Sequence, residues 1–480
     1  MSRDELRFPT QAFINGAFVD TKRTYDLINP ATGEVLAAVA DCGEAEARQA
    51  ADAAHNAFLT WKQTTAYQRS AIMETFVKLL QANSERLAQI MTAEIGKPIK
   101  ESRGEVKYAT GFVQWYAEEA KRIYGETIPS SFSDKRILVE AAPVGPVFAI
   151  TPWNFPAAMI TRKLAPALAA GCTFIIKPPA QSAISALAMA ELLQEAGLPD
   201  GVFQVIPTSQ SSVVSDVLLA DPRIRKLAFT GSTHVGTLLA EKAARTVKRV
   251  SLELGGHAPF LVFEDADVEK AAAEAMNCKF RNAGQTCICT NRIYVQESIK
   301  DAFLQAFLKR VADLKVGAPI EEDTDIGPLV NQQGLDKAKE HIADALEKGA
   351  QMVAGQEAPA QKGLFLTPTV LTGVTHDMVV AREETFGPVA PIMTFKDEAE
   401  AIALANDTPY GLAAYVFTRD VSRVYRVTDA LDYGIIGVND GVPSTPQAPF
   451  GGMKASGVGR EGGHYGLEEY LERKFISLKL

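Results

Sequence analysis

PVFAITPWNFPAAMITRKLAPALAAGCTFIIKP, residues 146–178, reads as a strand, a turn, a helix and a second strand in succession. Val147–Thr151 is an apolar run of strand length, and Pro152–Pro156 interrupts it. A helix then runs from about Pro156 to Ala170, and Thr173–Lys177 is again short and apolar. The alternation continues with strands at Val202–Ile206, Lys226–Thr230 and Arg249–Leu254, and helices at Ser182–Ala196, Ser211–Ala220 and Thr233–Arg245. This repetition predicts a parallel, doubly wound sheet. Such sheets bind ligands outside the carboxyl ends of their strands.

Working outward, residues 12–40 alternate apolar and polar positions around a hairpin signal at Asn15-Gly16. Glu44–Trp61 is Ala-rich and helical, and Arg69–Ile95 carries one long helical period. Gly96-Lys97-Pro98 breaks that period, and another helix reaches about Ile123. Residues 124–143 differ: Pro129-Ser130-Ser131 is a turn and Arg136–Glu140 an isolated strand. Lys474–Leu480 places Ile476, Leu478 and Leu480 on one side, an apolar strand that needs an edge to join. These two pieces are expected to pair, within the chain or across subunits. Downstream, helices at Asp301–Lys315, Gly334–Lys348 and Glu400–Asn406 and strands at Arg292–Val295, Ala413–Thr418 and Gly434–Asn439 predict a second α/β domain.

At 480 residues the chain is too long for one ordinary core. Its formal charge of −9 argues against nucleic acid or an anionic membrane as the main partner. Five sparse cysteines indicate a reducing compartment without a disulfide framework. Six scattered histidines show no metal-ligand spacing, so no metal is expected. The start, MSRDELRFPTQ, lacks the apolar stretch of a signal peptide. The longest apolar run, near Leu164–Ile176, is shorter than a bilayer span of about 20 residues. The expectation is a cytoplasmic enzyme.

The chemistry gathers at a few places. Phe280–Arg292, FRNAGQTCICTNR, reads as a tight polar loop presenting Cys287. Gly284 permits the turn, and Asn282 and Thr286 are suited to bond its backbone. A thiol there either packs as a small apolar group or reacts. Asn154 precedes a helix, where its amide either caps that helix or faces a ligand. Lys177 ends a strand in an apolar sheet, where burial is costly unless an anion meets it or the side chain reaches solvent. Phe229-Thr230-Gly231-Ser232-Thr233 opens a helix with free N–H groups, a place for phosphate or a plain helix start. Glu253 sits in an apolar strand end before Gly255-Gly256; unpaired, it would have a raised pKa suited to a general base, and paired it would be structural.

The motifs TPWNFP, FTGST, LELGG, FRNAGQTC, EETFGP and PFGGMKASGVGREGG stand in the order of the aldehyde dehydrogenase superfamily, which the chain resembles over nearly its whole length. Cys-Ile-Cys at 287–289 and ITRKLAPALAAGC at 160–172 resemble the succinate-semialdehyde dehydrogenase branch. The resemblance implies a Rossmann-type parallel-sheet cofactor domain, a second α/β catalytic domain and a small β oligomerisation arm. It implies the dinucleotide on residues 1–123 and 144–255, the cysteine loop on 256–450, and the arm on 124–143 and 466–480. By resemblance Cys287 is the nucleophile, Glu253 the base, and Asn154 with the backbone N–H of Cys287 the oxyanion site. Lys177 matches a residue on the cofactor's ribose. Trp153, Gly231, Ser232 and Leu254 match cofactor contacts, as do Glu384 and Phe386 around the nicotinamide ribose and ring.

The implied reaction is attack by the Cys287 thiolate on an aldehyde, hydride loss to NADP or NAD, and hydrolysis of the thioester by water that Glu253 activates. The retained Glu253 argues against acyl transfer to coenzyme A. In the branch that the chain resembles, arginines matching Arg162 and Arg281 and a serine matching Ser444 bind a distal carboxylate, a task suited to guanidinium pairs. The loop Gly441–Pro446 departs from that branch with two prolines, which bears on pocket depth. The expected substrate is succinate semialdehyde; glutarate semialdehyde, α-ketoglutarate semialdehyde, a broad aldehyde range and a non-catalytic protein of the same fold are alternatives. Ala180 stands where NAD-selective relatives carry Glu, so NADP is expected to be accepted. Cys289 is a redox candidate beside Cys287. The arm and terminal strand suggest a homodimer or homotetramer.

Overall fold

A computed structural model describes residues 7–357 and 362–480. Its first large sheet has eight strands, in the spatial order Ala17–Val19, Ala12–Ile14, Phe203–Val205, Phe174–Lys177, Val147–Ile150, Lys226–Thr230, Arg249–Glu253 and Gly457–Val458. The five strands from Phe203–Val205 to Arg249–Glu253 are mutually parallel. The chain starts this set at Val147–Ile150, builds outward one way, then crosses to Lys226–Thr230 and builds the other way. The reversal opens a crevice at the carboxyl ends of those two neighbours. All four residues of Val147–Ile150 are buried, as are all thirteen of the helix Ala158–Ala170 that covers them. Helices on both faces explain why these strands read as unbroken apolar runs.

The second large sheet follows after only four residues, Leu254–His257. Its order is Gln351–Ala354, Thr369–Thr372, Val389–Phe395, Thr290–Gln296, Ala258–Val262, Ala413–Phe417 and Ile435–Val438. Only the outermost pair, Gln351–Ala354 with Thr369–Thr372, is antiparallel. Glu253 thus closes a strand of one sheet while Cys287 lies just before a strand of the other. The carboxyl ends of the first sheet face the amino ends of the second across a cleft. Gly457–Val458 returns from the second half to pair antiparallel with Leu252–Glu253.

A third sheet pairs Leu471–Lys479 with Lys135–Pro143, and Lys135–Pro143 with Glu126–Ile128. The isolated strand and the terminal strand therefore join within the chain, and both are longer than the sequence indicated. The helix expected over Arg69–Ile95 is two helices, Ala66–Ala82 and Ser84–Ile95. Asn83 divides them: its amide donates to the Leu79 carbonyl at 2.9 Å, competing with the backbone ladder.

Candidate active site

Two cavities meet at Cys287. One, of about 220 Å³, is lined by Trp153, Asn154, Gly231, Ser232, Glu253, Leu254, Glu384 and Phe386 among others. The other, of about 340 Å³, is lined by Glu101, Glu105, Tyr108, Phe155, Arg162, Arg281, Ser444 and Phe450 among others. Cys287 and Met159 belong to both linings.

The cysteine loop gets its shape from three successive left-handed residues, Asn282, Ala283 and Gly284, with φ of 51°, 54° and 76°. A Cβ on Gly284 would stand 2.2 Å from the Gly387 carbonyl oxygen, so only glycine fits. Asn282 holds the turn: its backbone N–H donates to Glu101 at 2.8 Å, and its amide to the carbonyls of Asn154 and Gln285. Burial pushes the Cys287 thiol well above its usual pKa; the Glu253 charge adds to this and Arg162 opposes it. The free thiol is therefore protonated at neutral pH and needs a base or a nearby cation to become a nucleophile.

Glu253 ends its strand 3% exposed, and neither carboxylate oxygen has a partner. Burial raises its pKa to about 8, against the pull of Arg162. The structural salt bridge left open by the sequence is absent among the described residues. Asn154 is 2% exposed and does not cap the following helix, whose first N–H groups donate to Glu105 instead. Its Nδ2 donates to the Gln285 carbonyl at 3.0 Å, which uses one amide hydrogen and leaves the other for the cavity. Lys177 is buried and bonds only neutral oxygens, Pro178 O at 3.3 Å and Ser211 Oγ at 3.2 Å. Burial lowers its pKa to about 8.

Gly231 and Ser232 open the helix Thr233–Ala244, with Ser232 Oγ accepting from the Val235 N–H at 3.4 Å. A Cβ on Gly231 would fall 2.5 Å from the Phe229 ring. Glu384 faces the Gly256 N–H at 3.5 Å, and burial raises its pKa to about 7. Phe386 is held left-handed, φ 55°, with its ring edge-on to Trp153 at 5.6 Å. The helix Gln332–Glu347 secures this loop: Lys337 donates to the Glu384 carbonyl at 2.6 Å and His341 contacts the Thr385 hydroxyl at 3.0 Å. Ala180 lies outside the Cys287 cavities, in a cleft with Tyr25, Gln181 and Asn331.

The arginines differ from the symmetrical pair that the sequence suggested. Arg162 is bound through Nε, at 2.7 Å, and through a second guanidinium nitrogen to Glu461. Lys163 bonds the other oxygen of Glu461 and the Thr230 hydroxyl. Burial would raise the Glu461 pKa, but Lys163 and Arg162 hold it at about 2. Arg162 lines the cavity with its charge already answered. Arg281 is different: its Nε is buried without a partner, and the guanidinium sits 5.5 Å from the Phe155 ring centroid. The Ser444 hydroxyl is hydrogen-bonded to Tyr108. Cys289 turns away from both cavities, its sulfur near the carbonyls of Lys279 at 3.4 Å and Thr290 at 3.5 Å. No cluster of metal-ligating side chains occurs among the described residues. No helix among them is long and apolar enough to cross a membrane.

Sequence reasoning passed over Glu461, Lys163, Lys97, Glu105, Tyr108 and Lys337. Glu461 and Lys163 stood inside quoted motifs, and Lys97 inside a triplet treated only as a helix break. The others carry no local signal, because helical residues become site residues only through packing.

A parallel-sheet crevice, an unpaired buried carboxylate and a loop thiol between two cavities suit nucleophilic catalysis by the thiol. The chain belongs to the aldehyde dehydrogenase family, whose sequence model matches residues 18–476. It is 51% identical to the NADP-dependent succinate-semialdehyde dehydrogenase of Escherichia coli over 479 residues, 99% of either chain. It is 50% identical to the glutarate-semialdehyde dehydrogenase of Pseudomonas putida over 480 residues, 100% of this chain and 99% of that one. A crystal structure of an E. coli NADP-dependent enzyme superposes with a TM-score of 0.97 at 51% identity, covering 98% of each chain.

Proposed function

We propose that this enzyme oxidises succinate semialdehyde to succinate with NADP or NAD, with glutarate semialdehyde as the alternative substrate. The observation that carries the reading is that Cys287 closes both cavities, with Glu253 on one side and Arg281 on the other. The residues fit a nicotinamide dinucleotide. Gly231 presents a helix start without a Cβ, where a phosphate can approach N–H groups. Lys177 is a buried amine that no carboxylate meets among the described residues. Trp153, Ser232, Leu254, Glu384 and Phe386 complete that wall.

Glu253 takes the proton from the Cys287 thiol, and the sulfur adds to the aldehyde carbon. The free N–H of the Asn154 amide and the backbone N–H of Cys287 receive the oxygen as it becomes negative; one such donor contributes about 3 kcal/mol. A dinucleotide held by Gly231, Ser232 and Glu384 would supply the hydride acceptor, and loss of hydride from the thiohemiacetal carbon would leave a thioester on Cys287. Glu253 gives the thiol proton up to solvent and, again a carboxylate, takes a proton from water, whose oxygen attacks the thioester and releases the acid and the Cys287 thiolate. Arg281, with Tyr108 and Ser444 beside it, holds the substrate's far carboxylate.

The dinucleotide is assigned to residues 1–123 and 144–255 and the catalytic loop to 256–450. The arm, 124–143 with 466–480, is assigned to contact between copies in a dimer or tetramer; exposed Phe475 and Leu480 support this. A cytoplasmic location fits the free cysteines. The test is kcat/KM for succinate semialdehyde, glutarate semialdehyde and butyraldehyde with each nicotinamide cofactor. A semialdehyde should exceed butyraldehyde by at least about tenfold, the worth of one charge-assisted contact. Equal values would defeat the reading, and a strong NAD preference would overturn the role given to Ala180.

A further inference from the structure

The connector between the helices Ser84–Ile95 and Ile99–Glu119 carries Lys97, with 1% of its surface exposed. Its ammonium donates to one oxygen of Glu105 and, at 2.7 Å, to the Asn154 carbonyl. It also lies 3.8 Å from the Phe155 ring centroid. The other oxygen of Glu105 accepts from the N–H of Ala157 at 2.8 Å and of Ala158 at 3.2 Å. The pair grips the segment 154–158 at both ends, at a carbonyl and at the first N–H groups of the helix.

Taking two charges out of water is costly, and an apolar pair of the same shape is often as stable. A buried pair aimed at one peptide segment is better explained by orientation than by stability. The segment it holds carries Asn154, which lines the cavity of Cys287 and has one amide hydrogen uncommitted beside its bond to the Gln285 carbonyl. We propose that Lys97 and Glu105 are positioning residues, fixing the backbone at 154–158 so that the Asn154 amide points at the oxygen of the thiohemiacetal. This rests on Asn154 being the oxyanion donor. Asn282 shares the task by donating to the same carbonyl at 3.1 Å.

The test uses the full-length double variant K97M/E105Q, which removes both charges and strands neither. Its kcat should fall about tenfold to a hundredfold, as expected for a misplacement near 1 Å at the reacting centre. Dinucleotide affinity and the far-ultraviolet circular dichroism should stay unchanged. With 1-deuterated aldehyde, the isotope effect on kcat should move to that of Asn154→Ala, because both variants slow C–H cleavage. A purely structural pair would lower the titratable Cys287 fraction and leave the isotope effect where it was. A soluble double variant with kcat within twofold of the parent, or with an unmoved isotope effect, overturns the proposal. If the double variant does not fold, Glu105→Gln alone is judged by the same readouts. Full activity in Asn154→Ala would sink the oxyanion reading instead; loss there with an intact double variant sinks the positioning alone.

Discussion

The Glu253 carboxylate and the Arg281 Nε are buried without a partner among the described residues, which supports the roles proposed for them. Glu253 titrates near 8, so a carboxyl that must accept a proton is mostly blocked at pH 6 and available at pH 9. The kcat of the enzyme is expected to rise through about pH 8. In Glu253→Gln it should fall by about 10² to 10⁴ and lose that rise, while single-turnover formation of reduced dinucleotide persists in part. The same carboxyl bears on stability. Its folded pKa lies above the usual 4.5, so the fold binds its proton more tightly than the open chain does. Stability present below about 4.5 is lost as pH rises through about 8, and Glu253→Gln should melt higher than the parent at pH 9. Arg281→Met should cut kcat/KM for the semialdehyde by at least about tenfold and leave butyraldehyde nearly untouched, read in parallel assays. Cys287, Glu253 and Asn154 could be singled out in the chain because each sits in a short motif at an element's end. That Arg162 is answered by Glu461 could not, since 299 positions separate them.

The elements were legible where periodicity is strong. Lys226–Thr230 and Ser211–Ala220 have the ends that the sequence indicated, and the strands flanking the crevice match within a residue or two. The break at Asn83 was hidden because a side-chain bond, not a proline or glycine, makes it. The cysteine loop reads as a turn, yet three consecutive left-handed residues cannot be inferred from composition, and two of them, Asn282 and Ala283, are not glycine. Strain of this kind costs about 1–3 kcal/mol per residue and persists where the surroundings enforce it. Gly284→Ala adds a clash with the Gly387 carbonyl and should destabilise the protein by at least about 1–3 kcal/mol. Thermal melts would register that loss, with activity falling in step as the loops 281–287 and 383–388 part.

At the scale of the molecule, two large sheets and a three-stranded arm divide the work, and the chain first passes between the large ones through four residues, Leu254–His257. The parallel order of the first sheet followed from strand–helix alternation, but the return of Gly457–Val458 to its edge did not, because two residues carry no strand signal. The terminal strand Leu471–Lys479 covers the full length of Lys135–Pro143. Removing residues 471–480 should expose that edge, and size-exclusion chromatography should show aggregation or an altered oligomer in place of a single species.

One further consequence attaches to the sulfur that both cavities share. When it carries an acyl group it becomes a plug, and the traffic on its two flanks separates. On the reading proposed, a dinucleotide in the Glu253 cavity would leave by one flank while the acyl group stays tethered on the other, and water would reach the tether from the vacated side, so turnover would obey a fixed order of exits.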